Sequence, residues 1–438
     1  MARICLAAIL CLFSAAETVA QNAPPDATAV LTLEGAIAEA RQNNRQIQIS
    51  NQNVLFANDQ ILAAKTQRYP QFSAQLTASG LLTAVHVDFP PGTIGAGNTV
   101  ITTQPKFSAM SLVQVYQPLT QLYNVHLNVQ LLQVGKRLSE EQLRQQRQQI
   151  TNSVKQAYYG LLQTQSALEA ANENVQALRE VERTTDQYVK EKSALPYQSA
   201  GVKTQLAQAE LQVITLQDNM ATQKENLNDL MGRDITSEFS LSGVPDSLPE
   251  EQSLDLARQT AVANRTEIRQ AQFKIVQATY ARRLEKANYI PQVGIQYLFF
   301  SPFTIEAFPS NINSLGVSLK WDLWDWGYKR HLMDEKQRGI EQSQLNLAET
   351  RSQVVIDLNN RFRKLREARA GLKVAQLGQE AEKQKLRVVL EQYKQNAALL
   401  SALQTEQANT AQAASQYQQA LSSFWSARAE FEKALGED

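Results

Sequence analysis

The chain has 438 residues, 43 Lys and Arg against 43 Asp and Glu, and a formal charge of zero. That balance argues against a nucleic-acid-binding or polybasic membrane-surface role. Aromatics make up 7% and there are 17 Gly, a lean inventory for a globular α/β core, whereas the Gln-, Ala-, Leu- and Glu-rich stretches suit long helices.

Residues 1–20 read as a secretory signal. Arg3 supplies the basic start, Ile4 to Ala16 the apolar stretch, and Thr18-Val19-Ala20 the small-residue cleavage site. Both cysteines, Cys5 and Cys11, lie inside that segment, so a mature chain has neither disulfide nor thiolate metal site. No later apolar run reaches the roughly 20 residues of a spanning helix. A place in a membrane must therefore rest on strands.

Residues 33–68 carry helix periodicity up to Pro70, where a missing donor ends a helix at little cost. Phe72, Ala74, Leu76 and Ala78 then alternate with Gln71, Ser73, Gln75 and Thr77, the period of two of a strand. Asp88 to Asn98 has the Pro and Gly content of a loop. The strand at 107–118 carries apolar residues on both faces, and helix periodicity then runs without Pro from 124 to 192.

The same order returns. Leu33, Ala36, Asn43, Ile47, Lys65 and Pro70-Gln71 recur as Leu254, Ala257, Asn264, Ile268, Lys286 and Pro291-Gln292 at an offset of 221. Later positions, from Val113 and Leu119 against Val317 and Leu323 to Leu230-Met231-Gly232 against Ala434-Leu435-Gly436, match at 204. The difference, 221 − 204 = 17, is an insertion in the first copy between Pro70 and Leu119, and it falls on the loop. The expected division is 1–20 signal, 21–243 first repeat and 244–438 second repeat, each repeat a helix, a β-hairpin and a long helix pair. In the second repeat a helix over 254–288 precedes strands at Val293–Phe299 and Leu315–Leu323, and a helix follows from 326 to 395. Leu358, Leu365, Leu372, Leu386 and Tyr393 keep a seven-residue spacing broken only at Gln379, and such a repeat under-winds helices into a left-handed supercoil.

Tyr297, Phe299, Phe300, Trp321, Trp324 and Trp326 gather at these strands, as an interfacial aromatic girdle would. The strands themselves fit either a membrane barrel or a water-soluble sheet with one buried face. Four strands cannot close around a lumen, and lipid does not tolerate open edges, so a membrane reading calls for several copies to complete one barrel. The fold class expected is an α+β membrane protein with four transmembrane strands and long coiled-coil-like helices per chain.

Over its mature length the chain resembles the TolC-type outer-membrane efflux proteins. The likeness rests on the paired Asn43…Pro70-Gln71 and Asn264…Pro291-Gln292 openings, on Trp321-Asp322-Leu323-Trp324-Asp325-Trp326-Gly327, on Gln392-Tyr393 before a helical turn, and on the two Leu…Gly endings. The resemblance implies a homotrimer in outer-membrane lipid, with a twelve-strand barrel and a helical barrel crossing the periplasm. It implies passive efflux or type I secretion with an inner-membrane transporter and a periplasmic adaptor. The turns near Ser193–Pro196 and Asn396–Leu399 would form the periplasmic aperture, with Lys192, Pro196, Tyr393, Ala398, Ala402, Thr405 and Glu406 as its candidate residues. The chain departs from the family's pattern in three places. Gln117 to Leu122 keeps only part of the strand-end motif, both turns lack the usual Gly, and Ala402 and Thr405 stand where relatives often place aspartates.

No catalytic, cofactor or metal site emerges. His86, His126 and His331 are scattered without a second ligand at metal spacing. Gly92, Gly95 and Gly97 lack the helix and acidic residue of a dinucleotide site, and no acid, base and nucleophile converge. Asp186, Lys190, Glu191 and Lys192 read as a solvated helical face. The alternative function is an envelope structural or adaptor protein using coiled-coil helices as a spacer. Strands of membrane length with clustered aromatics discriminate against it.

Overall fold

The computed structural model describes residues 30–80, 82, 85–93, 97, 99–103, 107–192, 195–243, 249, 252–302, 311–395, 397 and 400–437. The signal segment at 1–20 lies outside these residues.

The elements run in the order β1 (Val30–Leu31), α1 (Leu33–Asn43), α2 (Arg45–Thr66), β2 (Gln71–Gly80), β3 (Val85–Phe89), β4 (Thr99–Thr103), β5 (Phe107–Pro118), α3 (Gln121–Lys190) and α4 (Pro196–Met231). They continue with β6 (Ser240–Leu241), α5 (Leu254–Asn264), α6 (Thr266–Ala287), β7 (Gln292–Pro302), β8 (Ile312–Lys320), α7 (Tyr328–Lys394) and α8 (Leu400–Leu435). Helices pair off in length between the halves: α1 with α5 at 11 residues, α2 with α6 at 22, and α4 with α8 at 36. At ~1.5 Å per residue, the 70 residues of α3 span about 105 Å.

The helix expected over 33–68 is broken at Asn44, and that over 254–288 at Arg265, because each of these residues takes an extended conformation with ψ 126°. Asn44 repays the break locally. Its side-chain oxygen accepts from the N–H groups of Gln46 and Ile47 at 2.9 and 3.3 Å, capping α2. Its Nδ2 donates to the Leu230 carbonyl at 2.8 Å, tying the break to the end of α4. Gly232 terminates α4 with φ 75°, and a Cβ there would stand 2.5 Å from the Asn43 carbonyl oxygen. Only glycine satisfies both the left-handed backbone and that approach. Arg265 does the second job by charge, bonding Glu267, Asp357 and the Ala434 carbonyl.

Around these breaks sits the main core. Val154, Tyr158, Leu161, Leu227, Leu358, Phe424 and Leu435 are buried in one cluster that joins both halves. Leu365 and Leu372 belong to it too, as the seven-residue spacing requires, while Leu168 and Leu386 are half-buried. The Tyr158 hydroxyl lies 2.9 Å from the Leu31 carbonyl and 2.7 Å from that of Ser242. It thereby ties the core to the parallel pair β1–β6, which the sequence pattern did not reveal.

β2, β5, β7 and β8 form one antiparallel sheet in that order. The strand at 107–118, read as apolar on both faces, is β5, flanked by β2 and β7. The stretch expected to be a loop is in part a hairpin: β3 pairs with β4 from Val85–Thr103 to Phe89–Thr99, so Asp88 and Phe89 are strand residues.

Candidate functional site

Two regions carry the candidate residues, the sheet and the far ends of the long helices. On the sheet the register gives one apolar face and one mixed face, polar toward Gln296 and apolar toward Leu112, Leu298 and Phe300. Phe72, Val115, Tyr297 and Leu315 lie side by side in one row. Val293 and Leu319, and Ile295 and Val317, extend the same face. The opposite face carries Ser73, Gln75, Gln114, Gln296, Ser314 and Ser318, together with Tyr116, whose ring covers Gly294. The apolar face is bare: Phe72, Leu315 and Val317 are 72–77% exposed. Tyr297 and Phe299 stand on it, whereas Phe300 pairs with Ile312 and Leu112 on the other face.

Trp321, Trp324 and Trp326 follow β8 at the end where the chain enters α7, all exposed, with Trp324 and Trp326 edge to face at 5.8 Å. The motif has a local cause. Trp326 and Gly327 both have positive φ, 55° and 84°, which turns the chain into the helix. Asp325 accepts from the Gly327 and Lys329 N–H groups at 3.0 and 3.1 Å, capping the start of α7. In the first half the motif departs from this pattern with a purpose of its own. Thr120 donates its hydroxyl to the Pro291 carbonyl at 2.7 Å and accepts from Val293 N–H at 2.8 Å, fastening β5 to the start of β7.

At the far ends, α3 reverses into α4. Lys192 takes the left-handed position, φ 59°, where a turn favours glycine. Pro196 opens α4, and Gln198 Oε1 accepts from the Leu195 N–H at 3.1 Å. Just inside the turn, Asp186 of α3 accepts from the Ser199 hydroxyl and pairs with Lys203 of α4 at 3.2 Å. The Ser199 bond first and Lys203 second hold the Asp186 carboxyl below its usual range. The charged stretch read as a solvated face is thus partly a cross-helix clasp.

α7 and α8 carry a clasp of reversed polarity. Lys385 of the long helix pairs with Glu406 of the short one at 2.9 Å, so Glu406 faces its neighbouring helix. The Lys385 bond depresses the Glu406 carboxyl and raises the Lys385 ammonium. Ala402 and Thr405 are exposed on α8. Ala398 and the side chain of Tyr393 lie outside the described residues. These clasps were invisible in the sequence, since their partners are 13 to 21 positions apart and depend on how the hairpins align.

Among the described residues no group of three His, Cys, Asp or Glu is placed to hold a metal, and no helix is long and apolar enough to cross a membrane.

The family described as outer membrane efflux protein matches residues 36–233. No curated protein matches the sequence. The fold is similar to the Campylobacter jejuni CmeC outer membrane channel, with a TM-score of 0.75 and 15% identity over 92% of this chain and 85% of that one. It is similar to the Vibrio cholerae outer membrane protein VceC, with a TM-score of 0.69 and 14% identity over 92% and 96%. The open-state Neisseria gonorrhoeae MtrE outer membrane channel gives 0.70 and 15% over 92% and 89%. Residues 36–233 thus carry a sequence likeness to the outer membrane efflux proteins, and 92% of the chain shares the fold of an outer membrane channel.

Proposed function

We propose that this outer-membrane export channel works as a passive homotrimeric duct, its sheet completing a barrel in lipid and its helices reaching into the periplasm. The observation that carries the reading is the sheet, apolar and bare on one face and open at both edges, β2 and β8. Its strands are 9 to 12 residues long, and a tilted transmembrane strand needs about 9–11. Directions alternate β2, β5, β7, β8, so β8 of one copy meets β2 of the next antiparallel and the ring closes without a misfit. Two copies would give eight strands, whose interior side chains fill. Three give twelve and leave a lumen, lined by the Gln and Ser face.

On this reading the residues divide as 21–243 and 244–438, behind a signal at 1–20. Trp321, Trp324 and Trp326 sit at the lipid boundary, while Tyr297, at the middle of β7, faces lipid within the sheet. The hairpin ends near Lys192, Pro196, Ala402 and Thr405 gather at the periplasmic aperture and meet an adaptor coupled to an inner-membrane transporter. Neither catalysis nor a cofactor is needed, since the energy comes from the transporter. The spacer alternative leaves the bare apolar face without a purpose. Membrane fractionation, particle mass in mild detergent and conductance in planar bilayers test the reading together. We expect outer-membrane recovery, a three-chain mass and discrete channel steps. A monomer confined to the soluble periplasm would overturn it.

A further inference from the structure

We infer that each seam between copies holds an anionic phospholipid of the leaflet nearest the helices. Its headgroup sits between Arg330 of one copy and Arg68 of the next, and its glycerol end lies against Trp324 and Trp326. The inference rests on the trimeric reading above.

All the helices enter and leave the sheet at one end, through residues 65–70, 119–127, 283–291 and 320–331. These passages hold seven Lys or Arg against three Asp or Glu, in a chain whose charges balance to zero. Two of the three carboxylates are engaged. Asp325 caps α7, and Asp322 lies 3.7 Å from Lys329, which also stands 5.7 Å from the centre of the Tyr289 ring. The Arg68 and Arg330 side chains are exposed and have no hydrogen bond or ion pair among the described residues. Aromatics crowd the same passages: Tyr69, Tyr123, Trp321, Trp324, Trp326 and Tyr328 are each more than half exposed. Such rings settle at the headgroup level of a bilayer, and guanidinium groups take phosphate oxygens through paired N–H bonds.

The two exits from strand into long helix differ as a lipid-filled seam requires. β5 runs between β2 and β7 of its own chain, and Thr120 fastens its exit to the start of β7. At the offset of 204, Thr120, Leu122 and His126 become Trp324, Trp326 and Arg330. β8 is an edge, and antiparallel closure sets its exit beside the entry to β2 of the next copy, where Arg68 and Tyr69 stand. Trp326 holds φ 55°, a costly conformation for a bulky side chain, while 88% exposed. Burial within the chain does not offset that strain. A lipid lying against Trp324 and Trp326, whose rings stand edge to face at 5.8 Å, does. A zwitterionic headgroup would bring its own ammonium against the two arginines, so the pair selects a headgroup of net negative charge.

The test is native mass spectrometry of the full chain in mild detergent, with phosphatidylglycerol or phosphatidylethanolamine of the same acyl chains added. We expect one phosphatidylglycerol retained per seam, three per particle, and several-fold less phosphatidylethanolamine. Arg330→Gln with Arg68→Gln should abolish the preference. Trp326→Gly removes the ring and suits the left-handed backbone. It should therefore keep or raise thermal stability in lipid-free detergent, yet lower retention of both lipids several-fold. A three-chain mass with equal retention of the two lipids, or with retention unmoved by these variants, overturns the site and leaves the trimer standing. A one-chain mass of the unmodified protein overturns the trimer and the site with it.

Discussion

In the helical junction Leu161, Leu227 and Leu358 are fully buried, whereas Leu315 and Val317 on the sheet are more than 70% exposed. The two regions use the same aliphatic side chains and bury opposite faces. At about 25 cal/mol per Å² of apolar area, the junction is stabilised by leaving water within its own chain. The sheet keeps its apolar area outward and, on our reading, gains that free energy only from lipid. One region is a soluble-protein core and the other, on the same reading, faces a second solvent, so burial marks the sensitive positions in the first and exposure marks them in the second.

The largest contrast is expected at glycines. Gly232→Val forces a Cβ into the Asn43 carbonyl at a left-handed position, while nothing lies within 4 Å of a Cβ at Gly316. We expect the first variant to lose folded protein by circular dichroism and protease resistance, and Gly316→Ala to match the parent. Normal folding of Gly232→Val would show that the junction yields more readily than its packing implies.

Next comes charge in the core. Leu365→Asp puts a carboxylate in the buried cluster that holds Leu358 and Phe424, where burial of a charge is costly, and should abolish the assembled particle. The same substitution at exposed Lys364 should not. Equal tolerance at the two positions would contradict the seven-residue packing.

On the sheet the sign of the comparison turns over. Val317→Arg sits on the bare apolar face, where an arginine near the bilayer centre costs about 2–4 kcal/mol. Gln296→Arg, on the polar face, should cost little. Heat-modifiability on gels separates the two, and a Gln296 variant more damaged than the Val317 variant would assign lipid to the other face.

A smaller effect is expected from deleting residues 88–104, which removes 17 residues from the β3–β4 region that the second half lacks. Assembly and conductance should persist, because β2 and β5 pair with each other independently of that hairpin. Loss of the particle would make the hairpin part of the fold.

The smallest concerns the hairpin ends. On the proposed reading, in which Ala402 and Thr405 line the constriction, bilayer recordings should give weak cation preference, raised by Ala402→Asp with Thr405→Asp. Glu406 is expected to contribute little, being held by Lys385. Its carboxyl is depressed, so the clasp's contribution is present above the ordinary carboxylate range. It is lost only as pH falls through the lowered value. Strong selectivity that vanishes in Glu406→Gln would move the constriction onto that residue.

The sequence by itself determined the order of elements, the duplication with its 17-residue difference, the long helices and the four principal strands. Those features rest on local periodicity and on proline and glycine at the switches, which a single chain records position by position. Even the bent openings left a trace, since Asn43 and Gly232 recur as Asn264 and Gly436. Yet the break at Asn44 is legible only once its amide meets Leu230, 186 positions away. The tertiary structure alone decided that contact, the β1–β6 pair beneath Tyr158, the hairpin inside the expected loop, and the clasps Asp186–Lys203 and Lys385–Glu406. Each depends on which remote segments come within hydrogen-bond reach. Side-chain type and local spacing set the faces of an element, but only packing sets which faces meet.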